Sequence, residues 1–156
     1  MTMSPEALRE IARNMVETVP QASALGFKLR SIEPSRGSIL TPWREDLVGD
    51  PDTGVIAGGV ITALLDHACG LATISMATDS KTPFSTATLD LRIDYMRAAT
   101  PHVDIIAEAH CYKLTRSVAF VRAHAYDADP ADPIATAQAA FILKRGPSHE
   151  RSRQTP

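Results

Sequence analysis

Cysteine is nearly absent from this 156-residue chain: Cys69 and Cys111 are the only two, and they form no CxxC pair. A chain of this length with so few cysteines is no disulfide scaffold, and the pattern fits a reducing cytosol, so a cytoplasmic location is expected. Surplus charge of either sign is lacking too, with 16 Lys and Arg against 18 Asp and Glu and a net charge of −2. There is no overall field to hold a nucleic-acid backbone, which argues against bulk nucleic-acid binding, although a local basic cluster can still hold a few phosphates. The start, MTMSPEALREIARNM, lacks the continuous apolar run of a secretory signal. The longest apolar stretch, Val55 to Ala77, is interrupted by Asp66 and His67 and is rich in Gly and Ala, so it reads as a core helix and not a membrane span. Metal-ligand spacing is missing as well: His67, His102, His110, His124 and His149 show no HxxxH or HExxH pattern, so no metal is expected.

What is present is the composition of a folded domain, 44% hydrophobic and 22% charged. About 150 residues suffice for one hydrophobic core. A single domain is expected over residues 1–146, followed by a polar, mobile tail, 147–156. Ser4, Pro5 and Glu6 read as N-cap, first-turn proline and early acidic residue, and Leu8, Ile11, Met15 and Val19 recur at helical spacing. These predict a helix over about 5–18, ended by Pro20. GFKLRSIE and GSILTPW, separated by PSRG, predict a hairpin, and REDLVGDPDTG (44–54) has loop chemistry. Gly58-Gly59 then open a helix over about 58–77 that is apolar on nearly every face. After DSKTP, TLDLRIDYM alternates strictly, placing Leu89, Leu91, Ile93 and Tyr95 on one face and Asp90, Arg92 and Asp94 on the other. Three further runs, VDIIAEAHCYKL, SVAFVRAHAY and PIATAQAAFILK, extend this into an expected four-strand antiparallel meander. The plan is α+β, a curved sheet around one hydrophobic helix.

Asp66 stands out, because a carboxylate in an apolar helix is costly to bury unless it is paired or faces a cavity. It is either a reactive group or a helix-surface residue satisfied by backbone amides or by an arginine across a dimer contact. Gly58 and Gly59 bear on the choice, since a helix N-terminus offers unpaired N–H groups and glycine lets a ligand approach the backbone closely. Such donors suit a substrate carbonyl becoming an oxyanion. Gly58 precedes Asp66 by about two turns, roughly 12 Å along the axis, too far for both to meet one carbonyl within one chain. A shared site therefore needs two chains.

DPDTGVIAGGVITALLDHACG, STATLDLRIDYMRAATP and KLTRSVAFVRAHAYD together resemble thioesterases of the 4-hydroxybenzoyl-CoA superfamily, in the phenylacetate-pathway branch, over about residues 24–144. The resemblance implies a hotdog fold, a homodimer or dimer of dimers that extends the sheet, and active sites at the subunit interface. It implies hydrolysis of acyl-CoA or aryl-CoA thioesters, with Asp66 as general base or nucleophile and the Gly58 amide of the other chain polarising the carbonyl. No cofactor is implied beyond the CoA of the substrate, and no nucleic-acid or membrane partner. Thr88 aligns with a hydroxyl residue that orients the water, with Thr86 as a fallback. Gly59 and Asp50 fall at substrate-binding positions. Of Arg92, Arg97, Lys113, Arg116 and Arg122, which lie around expected strand ends and turns, Arg116 best matches a CoA-nucleotide contact, followed in its turn by Ser117. Arg97 is a further candidate.

Two positions depart from the family pattern: Ala57 stands where its histidine precedes the glycine pair, and Asp50 where its loop carries asparagine. A non-catalytic acyl-CoA or ligand-binding module is therefore a second reading. An acyl dehydratase or hydratase is a third, but its Asp-x4-His pattern would need histidine where Leu71 stands. His67 points about 100° away from Asp66 and reads as packing or interface. Cys69 reads as a buried inert thiol.

Overall fold

The computed structural model describes residues 3–77 and 84–145, so the expected DSKTP turn and the polar tail lie outside the described residues. In chain order the elements are α1 (Pro5–Glu17), α2 (Pro20–Leu25), β1 (Lys28–Glu33), β2 (Arg36–Thr41), a 3-10 turn (Glu45–Leu47), β3 (Val48–Asp50), β4 (Val55–Ile56), α3 (Gly58–Ala77), β5 (Phe84–Tyr95), β6 (Ile105–Leu114), β7 (Val118–Tyr126) and β8 (Ala135–Arg145).

The Ser4 hydroxyl accepts from the N–H of Ala7 at 3.2 Å, capping α1 as its sequence predicts. Pro20 does more than end that helix. It opens α2, because its fixed φ suits a first helical turn and its missing N–H would have been unpaired there anyway. The 44–54 segment is likewise more ordered than its loop chemistry suggests, folding into the 3-10 turn and β3, which pairs with β4 just beyond the segment.

Six strands form one antiparallel sheet in the order β1-β2-β6-β7-β8-β5. The predicted hairpin is present as β1–β2, but the four-strand meander is not. β6, β7 and β8 follow one another, whereas β5 pairs with β8 at the far edge and never with β6. The chain leaves α3 at one side of the sheet and must cross to the other before β6, a non-local choice that alternation within each strand does not encode.

The sheet curls around α3, which buries Leu64, Leu65 and Leu71 completely. Alanines make this close approach possible: Ala107 and Ala109 on β6, Ala119 and Ala123 on β7, and Ala137 and Ala139 on β8 are buried on the inner face. Gly37 on β2 serves the same end, because a Cβ there would lie 2.8 Å from the Leu71 side chain. Each fully buried leucine contributes roughly 1.5–3 kcal/mol of transfer free energy. A long helix wrapped by a curved antiparallel sheet is the hotdog fold. α3 is also long and apolar enough to cross a membrane, with a mean hydropathy of 1.4 over Gly58–Met76, but here it is the core helix of that sheet.

The alternation expected of β5 breaks at one residue. Thr88 pairs with Phe141 and Asp90 with Ala140, so Leu89 is an extra residue, a β-bulge. Leu89 is 57% exposed and does not share the inner face with Leu91 and Ile93, which pack on the core. The bulge shifts the phase, bringing Thr88 onto the same inner face as the residues beyond it.

Candidate active site

α3 is covered by the sheet except along one stripe, where Gly58, Gly59, Thr62 and Asp66 recur at helical spacing. The edge strand β5 borders this stripe. Thr88 donates its hydroxyl proton to Asp66 Oδ1 at 2.9 Å, joining the strand to the helix at the one acidic position of α3. Had β5 run without its bulge, parity would have turned Thr88 to the outer face.

The other residues around Asp66 are not reactive partners for it. His67 turns toward α1, its Nε2–H donating to the Met15 carbonyl at 2.9 Å and its ring lying 5.9 Å from that of Phe27. Burial, then the charge of Asp66 and the neighbouring Cys111, push the Cys69 thiol up to about 12, so at neutral pH it is protonated and a poor nucleophile.

At the start of α3 the N–H groups of Val60 and Ile61 both reach the Ala57 carbonyl, at 3.0 and 3.4 Å. The N–H groups of Gly58 and Gly59 find no acceptor among the described residues, as the geometry of a helix start dictates. Both glycines are exposed, and a Cβ added to Gly59 would meet nothing within 4 Å. Tyr95, at the far end of β5, donates to the Gly58 carbonyl at 2.7 Å, and Thr62 reaches the same oxygen at 3.2 Å. The two hydroxyls also lie within hydrogen-bonding distance of each other, and with one proton each they share two bonds among these three contacts. That carbonyl and the N–H of Gly59 belong to one planar peptide unit. The hydroxyls therefore fix the tilt of an outward-facing N–H and polarise it. Sequence reasoning missed both residues. The four-residue spacing of Gly58, Thr62 and Asp66 was the available signal for Thr62, whereas Tyr95 meets Gly58 only through the tertiary fold.

The sequence model of the thioesterase superfamily matches residues 53–134, a span that holds both ends of the stripe and β5. The chain belongs to the thioesterase superfamily. Among solved structures, a protein from Pseudomonas aeruginosa is 37% identical, with a TM-score of 0.77 over 86% of this chain and 98% of that one. The PaaI protein from the phenylacetic acid degradation operon of E. coli shares the fold at 16% identity, with a TM-score of 0.74 over 89% of this chain and 94% of that one. A mutant of the phenylacetic acid degradation protein PaaI from Thermus thermophilus does so at 24% identity, with a TM-score of 0.67 over 80% and 98%. No curated protein matches the chain significantly.

In this thioesterase-superfamily chain the other predicted site residues do not gather at Asp66. Asp50 braces the turn before α3: its carboxylate accepts from the N–H of Asp52 at 3.0 Å and its carbonyl from those of Thr53 and Gly54 at 3.1 Å. Gly54, at φ +72°, packs its backbone against His102 where a Cβ would lie 2.7 Å from the ring. Ala57 donates its N–H to the Leu47 carbonyl at 2.9 Å, which anchors the helix start without any side-chain group. Arg116 and Ser117 are exposed at the β6–β7 turn, which Thr115 closes onto Val118. Arg97 is committed elsewhere, bonding both oxygens of the buried Asp127 carboxylate at 3.1 and 2.7 Å and the Asp132 carbonyl at 2.9 Å. Thr86 lies on the same face as Thr88, pairing with Leu143 on β8. Arg92 and Arg122 lie mid-strand on the outer face of the sheet, not at strand ends.

Proposed function

We propose that this protein hydrolyses acyl-CoA or aryl-CoA thioesters, with the Asp66–Thr88 pair of one chain and the Gly58–Gly59 amides of another forming each active site. The hydrogen bond from Thr88 to Asp66 carries this reading, since a carboxylate and a hydroxyl so joined beside an open stripe can hold a water between them. Asp66 takes a proton from that water, whose oxygen bonds to the thioester carbonyl carbon. The resulting oxyanion meets the glycine N–H groups. The C–S bond then breaks, and the CoA sulfur leaves with the proton Asp66 took. Membership of the thioesterase superfamily and the shared fold of the PaaI proteins support the class of substrate.

Two features support assembly as a homodimer or a dimer of dimers. β5 is a 12-residue edge strand with one side unpaired, and Leu89, Tyr95 and Met96 expose 57%, 51% and 58% of their surface along and beside it. A twofold antiparallel pairing of this edge with itself would set the Thr88 end of one strand against the Tyr95 end of the other. That exchange would bring Asp66 of one chain toward Gly58 of its partner, the approach that roughly 12 Å of helix denies within one chain.

Ala57 favours the second reading, a module that binds acyl-CoA without turning it over, because no imidazole stands before the glycine pair. A panel of short, medium and aromatic acyl-CoAs separates the two. Hydrolysis is expected to release free CoA thiol, whereas saturable binding without thiol release across the panel would establish the module.

A further inference from the structure

The outer face of the sheet, away from α3, carries a groove of about 480 Å³ that the thioesterase reading does not use. Its floor is a cross-strand row: Arg36 on β2 lies opposite His110 on β6, which lies opposite Arg122 on β7. Adjacent strands are about 4.8 Å apart, so three basic groups stand within roughly 10 Å. A protonated His110 would face a like charge on both sides, an arrangement that destabilises a sheet. Burial, and then the charges of Arg36 and Arg122, hold His110 below the ordinary imidazole range.

The row ends on an acid, since Glu33 on β1 lies opposite Arg36, but the two form no ion pair among the described residues, and the carboxylates that line the groove itself are engaged elsewhere. Glu108 is taken by Tyr126 at 2.6 Å and Arg30 at 3.3 Å, with His124 at 3.7 Å, and Asp94 is taken by Arg92 at 3.2 Å. No carboxylate pairs with Arg36 or Arg122 among the described residues, and the Arg122 guanidinium lies over the Tyr112 ring, 4.4 Å from its centre. A smaller cavity of about 170 Å³ shares Arg36 and Glu108 with the groove, and Ser38 lines it. The Ser38 hydroxyl is buried and without a partner. The β7–β8 connection overhangs the row, and Pro130, Ala131 and Pro133 give the groove an apolar wall.

We propose that this groove is a binding site for a phosphate dianion, gripped by the guanidinium groups of Arg36 and Arg122 with His110 between them. Arginine forks match phosphate oxygens in pairs, and a dianion removes the repulsion along the row. Bound phosphate also favours the protonated imidazole, so His110 takes up a proton on binding, while His124 faces Glu108 in the neighbouring row.

The test is titration of the full-length protein with inorganic phosphate and, separately, with adenosine monophosphate, at constant pH and ionic strength, following the His110 and His124 ring resonances by NMR. Saturable shifts are expected at His110, and Arg36→Gln and Arg122→Gln should each weaken binding by about tenfold or more. Arg122→Lys, which keeps the charge and loses the fork, should bind with intermediate affinity. Tighter binding of the nucleotide assigns a phosphorylated ligand that also uses the proline wall; equal affinity assigns free phosphate. Absence of a saturable shift, or equal shifts in wild type and both glutamine variants, would overturn the proposal.

Discussion

Thr88 reaches Asp66 only because Leu89 is bulged out of β5, so a single extra residue in an edge strand decides what stands beside the carboxylate. Deleting the Thr88 hydroxyl removes one solvent-exposed hydrogen bond to Asp66, which water can replace in the resting protein, and leaves a small side chain in the same place. Thr88→Val is expected to lower kcat on acyl-CoA by about tenfold or more, with thermal stability little changed, and Thr88→Ser should retain most of the activity. Steady-state kinetics with a thermal melt checks both; a valine variant at wild-type kcat would remove Thr88 from the reaction.

In the proposed reaction Tyr95 acts at a distance from the thioester, through the Gly58–Gly59 peptide. Tyr95→Phe leaves Thr62 bonded to the Gly58 carbonyl, so a partial loss is expected: kcat down a few-fold, on the order of 1 kcal/mol of transition-state stabilisation, with KM nearly constant. A rise in KM at constant kcat would instead make Tyr95 a substrate-binding residue.

Much of this was legible in the sequence and some could not be. The span of α3 follows from its glycine start and apolar run, and Asp66 is conspicuous because few positions of such a helix tolerate a charge. The bulge was hidden, since a period of two carries no sign of a phase shift until the partner strand is known. The pairing of β5 with β8 was hidden for the same reason: alternation marks a strand's faces but not its neighbours. Arg36, His110 and Arg122 lie far apart in sequence and become a row only through register.

A site composed of two chains, as proposed, predicts complementation. Gly58→Pro removes one N–H at a position where helices accept proline, and Asp66→Ala removes the carboxylate. Asp66→Ala alone should be inactive and Gly58→Pro alone should lose about 10²-fold or more, and mixing them under conditions that exchange subunits should raise activity above that of either. Exchanged hybrids without activity would place the site within one chain.

Asp127 ties pH to stability. The Arg97 guanidinium, with help from the Thr100 N–H, holds its carboxyl well below the usual carboxylate range, despite the opposing effect of burial. A depressed folded-state pKa contributes stability that is present in full above the unfolded value of about 4 and is lost as pH falls toward the folded value. Denaturant melts between neutral pH and strongly acidic pH should show this loss in the wild type, and Asp127→Asn should flatten it. Arg97→Ala should destabilise by about 1–3 kcal/mol at neutral pH, because it leaves the Asp127 carboxylate with only the Thr100 N–H as partner.

Cys69 should resist alkylation in the folded protein and react only on unfolding, since its thiol is buried and held at about 12. Iodoacetamide labelling across a denaturant series, read by mass, tests this; rapid labelling of Cys69 in the native state would contradict it.

In the proposed reaction Asp66 is the base that activates water on the thioester. Asp66→Asn preserves the shape of the side chain and can still accept from Thr88 while losing the base, so its turnover on the best substrate of an acyl-CoA panel is the most direct measurement. The account predicts an unchanged melt and a kcat lowered by about 10²–10⁴-fold; a folded Asp66→Asn protein that releases CoA at the wild-type rate would contradict it.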